Sequence, residues 1–541
     1  MSIAAHVHNR DRKVCANITK YRQPALRKIA AATGLSKTSV ARSIETVTKR
    51  NQYPESHFWE TAAGQEWLRR MVIAMLYEFG VKGNQGAERM SEFLKRLRVD
   101  SHVGVSPTAL RTMKRVLETE LAKFQREQEV GQKGTAVRQI VAAGDETWLG
   151  EKLLLVLMDL GSGYLVMEEE AADRSYETWQ SKGQARLQEI GVKVKHFVSD
   201  RAKALIKLAT SSFGTLAGAD IFHAQHAISQ WLGRSLYGKK GRAGQQLQEA
   251  EAKKAELEGK KAPAEKLAAQ ARCIEACQEK LNEIDAGKEA YNKVQQTVSA
   301  AVHAFSVADN TAQSSEQVER QLAAQAQRFA QLAQAQSVSD NKDAVGKCRR
   351  QIEDVSSVVD AWWQWTTESL TEGQPTAELT QWLLSVLLPV IYWDHQLHKT
   401  QNPEMKKLYE KAWRAAPATY ATHPVTPTLS PADLEHWRSW AEWASSNFHR
   451  ASSAVEGRNG VLSQSYRNGR SLSRHKLAAL TAIHNYDTHR RDGSTPAERL
   501  YGQQFPDLFE WLLGQMEALP LPRKARQHVV SNPLSVGTVP P

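Results

Sequence analysis

Apolar runs of strand length are confined to one part of this chain, roughly residues 136–223. "AVRQIVAAGDETWL" and "EKLLLVLMDL" have the length and apolar content of strands, and Gly161-Ser162-Gly163 turns the chain into "YLVMEEE". An amphipathic helix, "DRSYETWQSKGQARLQEI", leads to a strand, "VKVKHFVSD", then to a helix, "RAKALIKLATSSF", and a short strand, "ADIFH". Three antiparallel-type strands followed by alternating helix and strand predict a mixed sheet with flanking helices. From about 227 to 440 no strand pattern stands out. "GQQLQEAEAKKAELEGKKAPAEKLAAQARCIEACQEKLNEI" predicts a helical hairpin broken near Pro263, and "SSEQVERQLAAQAQRFAQLAQAQ" another long helix. The expected fold class is mixed α/β, predominantly helical.

Charge is concentrated at the start. Residues 1–50 hold eleven Lys/Arg against Asp11 and Glu45, within a chain of net charge +12. Such a cluster suits a nucleic-acid-binding module, with a solubilising tail as the plain alternative. In "ALRKIAAATGLSKTSVARSIETV", Leu26, Ile29 and Ala30 make an apolar face, Gly34 supplies a turn, and Ser36 can cap a second helix. Val40 and Ile44 return at i,i+4 spacing. That pattern predicts a helix-turn-helix whose second helix presents Lys37, Thr38, Ser39 and Arg42 to a DNA groove. Residues 55–127 are helical, either a second DNA-binding unit or a linker. The four cysteines show no metal-ligand spacing; Cys273 and Cys277 share a helix face and read as packing residues. No apolar signal core opens the sequence, and "WLLSVLLPVIYW" is too short to span a bilayer. A cytoplasmic protein with no membrane partner is expected.

Several acids stand where ligands collect. Asp145 is expected to end the first strand and Asp200 the fourth, immediately before a helix. An N-cap is the plain alternative for each. Carboxylates converging on one sheet edge can bind Mg²⁺, which takes a few carboxylates and leaves positions for phosphate oxygens. A third ligand is suggested by "ASSAVEGRNGVLSQSYRNGR", where Glu456 is followed by Arg458, Arg467 and Arg470 with no further acid until Asp487. In this reading Glu456 holds a metal ion, while Arg458, Asn459, Arg467 and Arg470 clamp backbone phosphates. An ordinary basic helix is the alternative. The clustered tryptophans (Trp362, Trp363, Trp365 and Trp437, Trp440, Trp443) read as core, with base stacking as the sharper option.

These features together resemble the DDE transposases, whose catalytic core is RNase H-like. Hairpin strands carrying an Asp, a later strand ending in Asp and a distant helical Glu match that family. "HNYDTHRRDGSTPAERLYG" is similar to the Asn-Tyr…Thr-Pro-Ala-Glu ending of many transposases and integrases. The resemblance covers about 137–230 and 445–502. It implies a catalytic and metal-binding triad of Asp145, Asp200 and Glu456 holding two Mg²⁺ (or Mn²⁺) ions, with His226 as a supporting residue. It also implies double-stranded DNA, both element ends and target, as partner, and a homo-oligomer to bring two ends together. The expected organisation is a helix-turn-helix domain at 1–54, a helical domain at 55–132, the first part of the core at 133–230, an all-α insertion at 231–440, the second part of the core at 441–505 and a tail at 506–541. The function implied is Mg²⁺-dependent phosphodiester hydrolysis and strand transfer. A catalytically inactive transposase-derived DNA-binding protein and an RNase H-like structure-selective nuclease are the rivals.

Overall fold

Five strands form one mixed sheet: β1 (Arg138–Leu149), β2 (Lys152–Asp159), β3 (Leu165–Ala171), β4 (Val192–Ser199) and β5 (Ala217–Ala219). Their order is β3-β2-β1-β4-β5; β1, β2 and β3 pair antiparallel, whereas β4 lies parallel to β1 and β5 parallel to β4. The computed structural model describes residues 10–18, 25–132, 137–469 and 471–522. β2 is apolar along nearly its whole length because it is central and covered on both faces. Gly144 leaves room for Phe197 of β4, whose ring tip lies 2.7 Å from where a Cβ would sit.

The short fifth strand differs from expectation. It covers Ala217–Ala219, and "IFHAQH" is helical, because the Asp220 side chain caps a helix over Ile221–Ile228 by accepting from Phe222 N (2.6 Å) and His223 N. That cap overrides the β-branched and aromatic residues that made the segment look extended.

Two compact units account for the chain. The larger, Glu129–Val461 with Pro496–Gln503, contains the sheet and the long helical region. Helices Arg234–Gly259 and Ala264–Ala301 form the expected hairpin, with Pro263 at the N-cap of the second. Cys273 is exposed on it rather than packed inside. The helical core of this unit is aromatic: Phe305, Trp362, Tyr392, Trp393 and Phe448 are all buried around His303. His303 bonds the Tyr392 hydroxyl at 2.7 Å and the Tyr409 hydroxyl at 2.8 Å, and burial holds its pKa well below the ordinary histidine value. Trp362, Trp365 and Trp437 are buried, and Trp362, Trp363 and Trp440 each donate an indole N–H to an internal acceptor, so these tryptophans are packing residues. Helix Ile352–Gly373 joins the helical region to the sheet: Trp365 packs with Val141, Ala143 and Val198 and donates to Gln139.

The other unit comprises Met1–Gln128, Leu462–Thr495 and Gln504–Pro541. Its N-terminal helices, residues 10–18, Leu26–Thr33 and Lys37–Arg50, enclose Val14, Ile29 and Val40. Gly34 takes the left-handed conformation (φ 69°) that the turn requires, and Ser36 caps the second helix of the pair through Ser39 N at 3.2 Å. Helices Arg474–Asp487 and Leu508–Gln515 also belong here. Tyr77 donates to Asp487 at 2.7 Å, and Phe124 packs edge-on against Tyr486 and Trp511. The segment expected as one second half of the core, 441–505, is therefore divided at Val461, and the segment expected as tail begins with a helix. Among the described residues no helix is long and apolar enough to cross a membrane.

Within the larger unit Asp220 does more than cap. Its second oxygen accepts from both the backbone N–H and the hydroxyl of Ser452, all three groups being buried. Asp220→Ala removes a cap and orphans a buried amide, so an unfolding free energy lower by about 2–4 kcal/mol is expected. Urea denaturation followed by circular dichroism checks it; a change under about 0.5 kcal/mol contradicts the assignment.

Candidate functional site

The parallel pairing of β1 and β4 brings two acids side by side. Ala143 pairs with Val198, β4 ends at Ser199, and β1 continues along β2 to Leu149. Asp145 therefore lies inside β1 rather than at its end, but just beyond the reach of β4. Asp145 and Asp200 are each two residues past the Ala143–Val198 pair, which directs both to one face of the sheet. Burial pushes the Asp145 carboxyl up to about 6, and the negative charges of Asp200 and Glu146 add to the shift. Glu146 points the other way and pairs with Arg174 at 2.8 Å, as the alternation of a strand demands. Asp200 accepts from Ala202 N at 2.9 Å, and Arg201 between them adopts φ 70°. A left-handed non-glycine residue costs about 1 kcal/mol. Arg201 is held there by Asp354 and by its own N–H on Ser199 Oγ.

The third acid arrives on helix Ser453–Gly469. Asn459 donates from Nδ2 to Asp145 Oδ2 at 2.7 Å, and Glu456, three residues earlier, shares its side of the helix. Glu456 Oε1 lies 3.1 Å from His223 Nε2, whose positive charge, when present, acts on Asp145 as well. Two local contacts result: Asp145 with Asn459, and Glu456 with His223. Asp220, His223 and Glu456 each offer a ligand atom within 4.8 Å of one another. Asp220 is a poor metal ligand all the same, since its two oxygens already accept four hydrogen bonds. Asp145 and Asp200 are not part of that group among the described residues. Asn459 Oδ1, on the amide that donates to Asp145, is buried without a hydrogen-bond partner.

Several expected roles change. Arg458 does not face a phosphate: it forms a two-pronged ion pair with Glu168 of β3, both bonds 2.7 Å, with the side chains 6% and 0% exposed. Asn459 holds Asp145 instead of a DNA backbone. His226 makes no side-chain hydrogen bond among the described residues; the histidine beside the acids is His223, one helical turn earlier. Asp159 is committed to its turn, accepting from Gly161 N and Ser162 N. Arg467 is exposed on the helix, and Arg470 lies outside the described residues. Lys37, Thr38 and Arg42 are exposed on their helix, with Ser39 half-buried. Asp220 and Glu168 were missed. Nothing in the sequence separates them from ordinary acids, because their importance comes from partners remote in the chain.

Residues 383–528 match a family model described as a family of unknown function, DUF6399. No curated protein matches the chain.

Arg458→Ala would leave Glu168 charged and buried alone, an expected loss of about 3–5 kcal/mol in unfolding free energy. Glu456→Gln, on an exposed position, should change it by less than about 0.5 kcal/mol; equal losses in denaturant titrations would contradict the assignment. Asp145 gives a pH signature. Its folded-state value, about 6, lies above the ordinary aspartate value of 3.8, so its contribution is complete below that ordinary value and is lost as pH rises through about 6. Without divalent cations, stability should fall across this window by up to about 3 kcal/mol. Asp145→Asn should flatten the dependence in thermal melts.

Proposed function

We propose that this protein is a DNA transposase of the DDE type, with an RNase H-like catalytic core built on β1–β5 and an N-terminal helix-turn-helix for element ends. What supports the reading is that Asp145 and Asp200 follow the same parallel β1–β4 pair, while the helix carrying Glu456 reaches Asp145 through Asn459. An all-oxygen donor set beside a buried, unpartnered amide oxygen fits Mg²⁺ or Mn²⁺. The high proton affinity of Asp145 comes first from burial and then from the neighbouring charges of Asp200 and Glu146, and a bound cation would offset both.

Asp145, Asp200 and Glu456 would hold two such ions. Bound there, they supply Lewis-acid stabilisation to the attacking and leaving oxygens of an in-line phosphoryl displacement. The chain's own groups do the rest. Asn459 fixes the rotation of the Asp145 carboxylate. The left-handed turn at Arg201 sets the direction of Asp200. His223 orients Glu456 and can carry a proton at Nε2 beside the reacting phosphodiester. The nucleophile is water in the hydrolytic step and a DNA 3′-hydroxyl in strand transfer. Lys37, Thr38, Ser39 and Arg42 read duplex DNA at the element ends, and two copies of the chain are needed to hold two ends.

The test is cleavage of end-labelled duplex DNA taken from the sequences flanking the coding region. Mg²⁺-dependent nicking, followed by joining of the new 3′ end to a second duplex, is expected. Asp200→Ala should lose several kcal/mol of transition-state stabilisation, about a thousandfold or more in rate, with duplex affinity retained. Nicking without joining would identify a nuclease. Binding without nicking in any divalent cation would identify a DNA-binding protein that has lost catalysis. The double variant Lys37→Ala/Arg42→Ala should weaken duplex binding and flatten its salt dependence by about two in slope.

A further inference from the structure

Helix Ile221–Ile228 continues beyond the acids. It passes through a wide π-turn at Ser229–Gly233 into helix Arg234–Gly259. Its exposed face carries His223, then His226, Gln230 and Arg234. Arg234 stands eleven residues after the histidine that touches Glu456, which is about 16 Å along a helix axis. Opposite this face runs the segment 339–347, and between the two lies a cavity of 510 Å³.

The lining of that cavity is one-sided in charge. Arg234, Lys342 and Lys347 line it, and no carboxylate does. None of the three cations has an ion-pair partner among the described residues, whereas neighbouring charges are paired. Asp340 is consumed by the amides of Ala344 (2.7 Å) and Val345 (3.0 Å), and Asp343 pairs with Arg350 at 3.0 Å. The walls are fixed from within, since Trp231 donates its indole N–H to Ser339 O at 2.9 Å and bolts the segment to the helix. A π-turn widens the helix at this point, and such turns recur where helices meet ligands. Three unpaired cations around an open hollow attract an anion with several charges. The hollow is too open for a single small ion, and its charged groups are all cationic.

We infer that the cavity formed by Arg234, Lys342 and Lys347 binds successive backbone phosphates of one DNA strand and holds it as it leaves the carboxylates. The face running from His223 to Arg234 is the track. The direction of the strand rests on the proposed reading of the acids, but the binding itself needs no catalysis. Contacts are to phosphate, so the site is indifferent to base sequence. All three side chains are exposed, which allows their neutralisation without loss of fold.

The experiment uses the full chain, Arg234→Gln/Lys342→Gln/Lys347→Gln, and a control bearing Lys266→Gln/Lys406→Gln/Lys411→Gln on other exposed positions. Binding of a fluorescein-labelled single-stranded oligonucleotide is titrated across salt concentrations by anisotropy. Loss of three phosphate contacts should flatten the log–log salt slope by about two, at about 0.7 per contact on a single strand, with the control unchanged. Inorganic pyrophosphate should compete with the oligonucleotide only weakly. Equal slopes in all three proteins, or equal flattening in both variants, overturns the inference. So does tight pyrophosphate binding with unchanged oligonucleotide affinity, which would make the cavity a site for a free anion. Mg²⁺-dependent nicking measured in parallel separates the two readings. A flattened slope in a chain that never nicks DNA upholds the track and removes the catalytic assignment. Nicking with an unchanged slope does the reverse.

Discussion

The two halves of the candidate site are separated by more than two hundred residues of helix, and the Asp220 carboxylate joins them. One oxygen caps the helix that carries His223; the other takes the backbone and hydroxyl protons of Ser452, immediately ahead of the helix that carries Glu456. The backbone repeats the link, since Ile221 N donates to Arg450 O at 3.1 Å and Asp220 N to Ser199 O at 3.0 Å. Asp220 is 1% exposed, so these bonds form away from competing water and cannot be exchanged without cost. A strand end, a helix start and a second helix start are thereby fixed at one point. The relation of His223 to Glu456 follows from it.

Around that point, charges have been sorted by environment. Glu168 and Arg458 are both buried and satisfy each other in two parallel bonds, a pair whose removal from water is compensated only by good geometry. Burial raises the proton affinity of Asp145, and the like charge of Asp200 adds to it. Groups on the same few elements are therefore either fully paired, as Glu168 and Arg458 are, or raised in proton affinity, as Asp145 is. Arg458 and Asn459 are sequence neighbours with opposite duties. One locks helix Ser453–Gly469 to β3, and the other reaches from the same helix to Asp145.

The helical region contributes to the site as well as to bulk. Arg201, whose left-handed backbone turns the chain after Asp200, is anchored by Asp354 of helix Ile352–Gly373. That helix also lays Trp365 on the sheet. Arg450 donates to the Val302 carbonyl at 2.8 Å and to the Tyr409 hydroxyl at 2.9 Å, so the segment before Glu456 is tied to the His303 network. A helical region that merely added bulk would leave the segments of Asp200 and Glu456 free of it. Here it braces both.

The sequence alone determined the four longer strands, the hairpin broken at Pro263 and the turn at Gly34. These depend on local periodicity, caps and the alternation of a strand, and such signals are complete within a few residues. It also singled out Glu456, because a lone acid heading a basic run is visible as composition. What only the tertiary structure decided was which charges stay free. Arg458 read as a phosphate clamp because its neighbours are basic, but Glu168 on a distant strand consumes it. Asp220 read as part of a strand, but its partner Ser452 makes it the cap and clasp of the site. His223, not His226, meets Glu456 because the cap at Asp220 sets where the helix begins. Pairing between remote residues leaves no periodic trace in the chain, so the burial and charge state of each functional group had to await the fold.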